Sequence, residues 1–192
     1  MSELLYHICE LYIDDVLIDG AENVRQVFAR FCKHKVALNP KNTKLGLVEV
    51  EYVGHLVSQL GVSFTKEKRQ KVQNFERPKT HCELLMYIGL VNYFYDHVRD
   101  MTEIIRPLRR KIDRYEKHRR LEWTPELDEV FESSKGTIAD CQQLFFMDEN
   151  TPITLQTDAC AYGIGGYLYQ TVDGTIQVIM CVSKALSGAK LN

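Results

Sequence analysis

The sequence predicts an α+β chain on three observations. Short runs of β-branched and aromatic residues flank an acidic pair in Tyr12-Ile13-Asp14-Asp15. Apolar residues then recur at helical spacing through the middle of the chain, and three strand-like runs follow one another after residue 150. The 192 residues are enough for one or two small domains, with ordinary shares of apolar (45%) and charged (26%) residues. A net charge of −2 excludes a globally basic protein, so any nucleic-acid surface must be local. The six cysteines form no CxxC pair, which argues against zinc and for a reduced, intracellular setting. No apolar run is long enough to span a membrane, and no signal-peptide pattern opens the sequence.

The first element is a pair of strands, His7–Tyr12 and Val16–Ile18, with Asp14 and Asp15 at the turn. Two carboxylates beside strands built for burial need a neutralising partner. Mg²⁺ suits one or two carboxylates plus phosphate oxygens. A solvated turn is the other reading, because Asp is a turn former. After Asp19-Gly20, the spacing of Val24, Val27, Phe28, Phe31 and Cys32 predicts a helix closing near Lys35, ahead of Asn39-Pro40. Residues 49–57 alternate and lead through Ser58–Gly61 into Val62–Phe64, a β-hairpin in which Gly54 reads as a bulge or a point of close approach.

Residues 66–75 read as a short helix ended by Arg77-Pro78. Thr80 and Glu83 then make a capping box for a helix whose stripe is Leu84, Ile88, Val91, Tyr95 and Val98, widened by Tyr87, Leu90 and Phe94. Residues 106–120 hold the one basic cluster: Arg106, Arg109, Arg110, Lys111, Arg114, Lys117, Arg119 and Arg120. It reads either as a track for phosphates or as a solvated linker face. Thr124-Pro125 starts a further helix, with Leu127, Val130, Phe131 and Ile138 on its core face. Ile153–Asp158 alternates, with Ile153 and Leu155 on one face and Thr154, Gln156 and Asp158 on the other. Gly163–Tyr169 and Thr175–Val182 follow as strands, joined by an Asp173-Gly174 hairpin turn. No helix follows the glycines at 163, 165 and 166, so packing and close backbone approach explain them better than a nucleotide loop.

Four strings in this order resemble the polymerases of Ty3/gypsy-like long-terminal-repeat retroelements. Cys9–Ile18 resembles the catalytic turn of reverse transcriptases, and Glu51–Ser58 the primer grip. Tyr87–Phe94 resembles the thumb, and Thr157–Gly165 the opening of a ribonuclease H domain. The resemblance covers about residues 5–186 and implies three parts. Residues 1–64 would be the second half of the palm with the primer-grip hairpin, and residues 65–121 the thumb and connection helices with a basic linker. Residues 122–192 would be a connection helix and the start of ribonuclease H.

The resemblance implies that Asp14 and Asp15 hold Mg²⁺ (or Mn²⁺) against a deoxynucleoside triphosphate and a primer end. Asp158 would be the first metal-holding carboxylate of the nuclease. It also implies that Tyr12, Gly54, His55, Arg109, Arg110, Lys111 and Arg114 face an RNA/DNA hybrid or primer-template duplex. The remainder of a pol polyprotein is the implied covalent partner, with no membrane, in a cytoplasmic particle or the nucleus. The family's polymerase site uses another Asp upstream, and its nuclease site a Glu and further Asp residues downstream. Residues 183–190 resemble the segment before that Glu, with Gly188 and Lys190 where the family commonly has Pro and Glu. The expectation is therefore two partial metal sites and no polymerase or nuclease activity in this chain alone. A non-catalytic nucleic-acid-binding or interaction protein derived from such an element is the alternative, and a decayed reading frame a third.

Overall fold

The computed structural model describes residues 8–113 and 115–186. Arg114, Gly188 and Lys190 lie outside the described residues. The chain divides into two compact units, 1–59 and 60–192.

The first unit opens with the antiparallel strands β1 (Glu10–Tyr12) and β2 (Asp15–Leu17), paired from Glu10↔Leu17 to Tyr12↔Asp15. Helix α1 (Ala21–Lys33) follows Gly20, which sits at φ 81° and offers no side-chain cap; Asn23 Nδ2 instead donates to the Asp19 carbonyl. Of the apolar stripe on α1, Val27 is fully buried and packs with Cys9, while Ile8, Ile18 and Phe31 are partly buried around them. The strand expected over 49–57 is two strands, β3 (Glu49–Tyr52) and β4 (His55–Ser58). They fold at Val53 (φ 51°) and Gly54 (φ 77°). Two successive positive φ values match the twist of a two-residue hairpin, so Gly54 is a turn residue and not a bulge.

The second unit is built on helices. Strand β5 (Gly61–Phe64) pairs with the two-residue strand β6 (Leu144–Phe145), which no sequence pattern announces. Gly61 is required there, because a Cβ would run into the Leu144 carbonyl. Thr65 caps α2 (Lys66–Gln73), and Thr80 caps α3 (His81–Val91) through Glu83 N–H at 3.2 Å. Glu83 reaches back one residue beyond the expected capping-box donor, accepting from Lys79 N–H at 2.6 Å. The apolar stripe continues through a 3-10 turn, Asn92–His97, so Phe94 and Val98 are buried although the α-helix has ended.

Helix α4 (Met101–Lys111) then buries Met101, Thr102, Ile105 and Leu108. The basic stretch is therefore a helix end as far as Lys111, and not a linker. Arg109, Arg110 and Lys111 occupy the last turn, where cations suit the helix dipole. Helix α5 (Pro125–Ala139), capped by Thr124 with Pro125 at its first position, buries Leu127, Phe131 and Ile138. Tyr87 packs tilted against Phe131 at 4.7 Å between centroids, and Trp123 meets Phe131 edge-on at 5.6 Å while donating to the Pro78 carbonyl.

A three-stranded antiparallel sheet of β7 (Ile153–Cys160), β8 (Gly163–Val172) and β9 (Thr175–Ala185) completes the unit. Its register places Asp158 beside Gly165 and Gly165 beside Ser183. The alternation of β7 is as expected, but hydropathy does not decide which face is covered. Tyr167, Cys181 and Ser183 share the Asp158 face, and Ser183 Oγ accepts from Thr102 N–H of α4. The opposite face leaves Leu155, Met180 and Val182 exposed. Among the described residues, no helix is long and apolar enough to cross a membrane.

Candidate functional site

The β1–β2 turn has two central residues, Ile13 and Asp14, and Asp15 is already the first residue of β2. Ile13 stands at φ 55° with its side chain 91% exposed. A β-branched residue avoids that region, and a hairpin with positive φ at its first central position ordinarily uses Gly. The turn is thus strained, and it carries Tyr12, Asp14 and Asp15 outward, all exposed. Strain of this kind persists where a turn must aim side chains.

Tyr52 lies near this acidic hairpin. Its phenol is pushed above the usual range by desolvation first, then by the charges of Glu10 and Asp15. Tyr52 closes the β3–β4 turn opposite His55. The structure thus brings the residues around Gly54 and His55 toward Asp15 through Tyr52, which the sequence reading had not singled out.

Asp158 sits elsewhere, in the second unit. One of its carboxylate oxygens accepts from Ala159 N–H at 2.8 Å. Across the ladder, a Cβ on Gly165 would come within 2.8 Å of Asp100 Oδ1, so the glycine admits the carboxylate that begins α4. Cys160 Sγ donates to Glu103 Oε1 at 2.6 Å. Asp100, Thr102, Glu103, Asp158, Cys160 and Ser183 line one small cavity of about 30 Å³, room for about one water. Asp100 and Glu103 were absent from the sequence reading, and Ser183 entered it only as the start of the 183–190 segment; only the glycines at 165 and 166, read as points of close approach, hinted at this grouping.

The basic residues divide. Arg109 is engaged: its Nη2 donates to Asn92 Oδ1 at 2.7 Å and its guanidinium lies 5.3 Å from the Tyr95 ring. Arg110 points instead to Tyr162, and Lys111 is half-buried. Farther on, Arg119 pairs with Glu116 at 2.8 Å.

Asp14 and Asp15 are the right donors for a hard divalent cation, which takes oxygen ligands. Among the described residues, however, no group of three or more His, Cys, Asp or Glu is placed to hold a metal ion.

The fold has solved counterparts. Over 95% of its length the chain superposes on a foamy viral protease-reverse transcriptase in complex with RNA/DNA hybrid, with a TM-score of 0.72 at 23% identity, covering 25% of that chain. A second foamy viral protease-reverse transcriptase structure, in complex with ds DNA, gives 0.75 at 24% identity, again over 95% of this chain and 33% of the other. Residues 123–192 match the RNase H-like domain found in reverse transcriptase.

The particular resemblance is to transposon polyproteins. The chain is 26% identical over 168 residues to the Tf2-3 polyprotein of Schizosaccharomyces pombe, and 25% identical over 168 residues to the Tf2-7 polyprotein. Each match spans 84% of this chain and 12% of the polyprotein. The resemblance to Ty3/gypsy-like reverse transcriptase and ribonuclease H read from the sequence holds.

Proposed function

We propose that the chain is a reverse-transcriptase and ribonuclease H segment of a retroelement polyprotein that binds an RNA/DNA hybrid or primer-template duplex. The observation that carries this reading is the strained two-residue turn presenting Asp14 and Asp15 on an otherwise apolar hairpin. Complexes of the structural neighbours with RNA/DNA hybrid and ds DNA support the choice of ligand. In the longer protein, Asp14 and Asp15 would hold Mg²⁺ or Mn²⁺ beside a deoxynucleoside triphosphate, and Asp158 would serve the nuclease centre. The metal, when bound, would neutralise phosphate charge. This chain's own part is to aim two carboxylates and to present cations to the duplex backbone.

The cations in the last turn of α4 carry a second reading for this chain by itself, a binder without catalysis. Fluorescence anisotropy with a labelled RNA/DNA hybrid tests both. The expected result is affinity that weakens steeply with salt. Asp14→Asn should leave that affinity within about twofold, because a lone exposed carboxylate contributes little to backbone binding. In the full polyprotein the same substitution should abolish primer extension. Absence of hybrid binding at low salt would overturn the proposal, and primer extension by the isolated chain would overturn the non-catalytic reading.

A further inference from the structure

Helix α4 turns a single stripe toward the β7–β8 connection. Glu103, Arg106 and Arg110 are spaced i, i+3 and i+7, so they share a face of the helix. Glu103 meets Cys160, and the guanidinium carbons of Arg106 and Arg110 lie 4.1 and 5.6 Å from the centroid of the Tyr162 ring. All three contacts fall within four residues after Asp158.

The two arginines are electrostatically incomplete. Arg25 pairs with Glu22, Arg77 with Asp128, Arg99 with Asp100 and Arg119 with Glu116. Among the described residues, neither Arg106 nor Arg110 has a carboxylate partner, and Arg106 Nη1 is buried with no hydrogen-bond partner. Like charges one turn apart on a helix repel. The face of one tyrosine ring offsets only part of that repulsion. A buried guanidinium nitrogen left unbonded also costs free energy that an anionic oxygen would recover. Guanidinium forks match phosphate oxygens in shape as well as charge. Tyr162 is 47% exposed, so the pair is reached from solvent along the ring edge.

We propose that Arg106 and Arg110, gathered on Tyr162, bind the phosphodiester backbone of a nucleic-acid strand passing the β7–β8 turn. The proposal rests on the nucleic-acid reading above and deepens it by assigning Arg106 and Tyr162, with Arg110, to one backbone contact. Arg109, tied to Asn92 and Tyr95, is not part of it.

The test measures affinity of the full chain for a labelled RNA/DNA hybrid across a salt series. The double substitution Arg106→Gln/Arg110→Gln should weaken binding about tenfold or more, as loss of charged hydrogen bonds does. It should also lower the slope of log K against log salt by about 2. Arg110→Gln alone, at an exposed side chain, should give about half that slope change, and it keeps the test valid if the double variant does not fold. Lys41→Gln, which removes one exposed positive charge outside the basic cluster, should leave binding within about twofold. If the wild-type chain binds no hybrid, both this proposal and the function above fail. If wild type binds but the arginine variants keep its slope and affinity, only this proposal fails. If the arginine variants lose binding to polyglutamate but not to the hybrid, an acidic peptide is the partner and the proposal is overturned.

Discussion

The two units of the chain carry opposite balances of chemistry and packing. In the first, the buried cluster is Cys9 and Val27 with Ile8, Ile18 and Phe31 around them, and the acidic hairpin stands in solvent. In the second, a continuous core runs from Phe64 through Leu84, Tyr87, Phe94, Met101 and Ile105 to Phe131 and Ile138. The candidate ligands of the first unit stand on turns or on the strand residues beside them: Asp14 and Gly54 in turns, Tyr12, Asp15 and His55 at strand ends. The second unit holds Arg106 and Arg110 on α4, which is anchored by buried Met101, Ile105 and Leu108, whereas Asp158 lies on the exposed strand β7. The contrast shows that a recognisable acidic motif does not need a deep core beneath it. Local turn geometry can aim carboxylates, whereas joining residues distant in sequence requires packing.

The largest effect that would sharpen this contrast is expected from Phe131→Ala. Its ring contacts Tyr87 and Trp123 and is 1% exposed, so truncation should cost roughly 3–5 kcal/mol. Trp123 is the chain's single tryptophan, so urea unfolding followed by its fluorescence reads this directly. A loss below about 1 kcal/mol, in the range of a surface change, would break the picture of a continuous core.

A second effect is tied to pH. Burial pushes the Tyr87 phenol up to about 12, offset in part by its hydrogen bond with Ser134. The folded state therefore holds the proton more tightly than the unfolded chain. The associated stability is whole below about pH 10 and falls by at most about 1.4 kcal/mol per unit as pH rises toward 12. Alkaline unfolding of wild type and Tyr87→Phe should differ in slope over that window; equal slopes would show the phenol to be accessible in the native state.

The smallest effect concerns the hairpin. Ile13→Gly removes the steric cost of a positive φ and should stabilise the turn by about 1 kcal/mol, net of glycine's greater chain entropy. Hydrogen exchange of amides between Glu10 and Leu17 should slow several-fold. Unchanged or faster exchange would mean that Ile13 is held without strain.

Much of the fold was legible because the signals were local. Thr80 and Thr124 cap helices, Asp173-Gly174 turns a hairpin, and most of the stripe on residues 84–98 is buried as its spacing requires. What was not legible depended on distant partners. The two-residue strand β6 exists because β5 lies beside it, and Gly54 became a turn residue because β3 folds back on β4.

The candidate site divides the same way. Adjacent residues and a short turn place Asp14 beside Asp15, so sequence alone determined that pair. Asp100 and Glu103 meet the Asp158 turn, and Arg106 and Arg110 gather on Tyr162, only because α4 docks on the sheet. The physical reason is range. Backbone turn preferences act over a few neighbouring residues, whereas burial of apolar surface decides which distant segments meet, and side-chain type alone does not encode that choice.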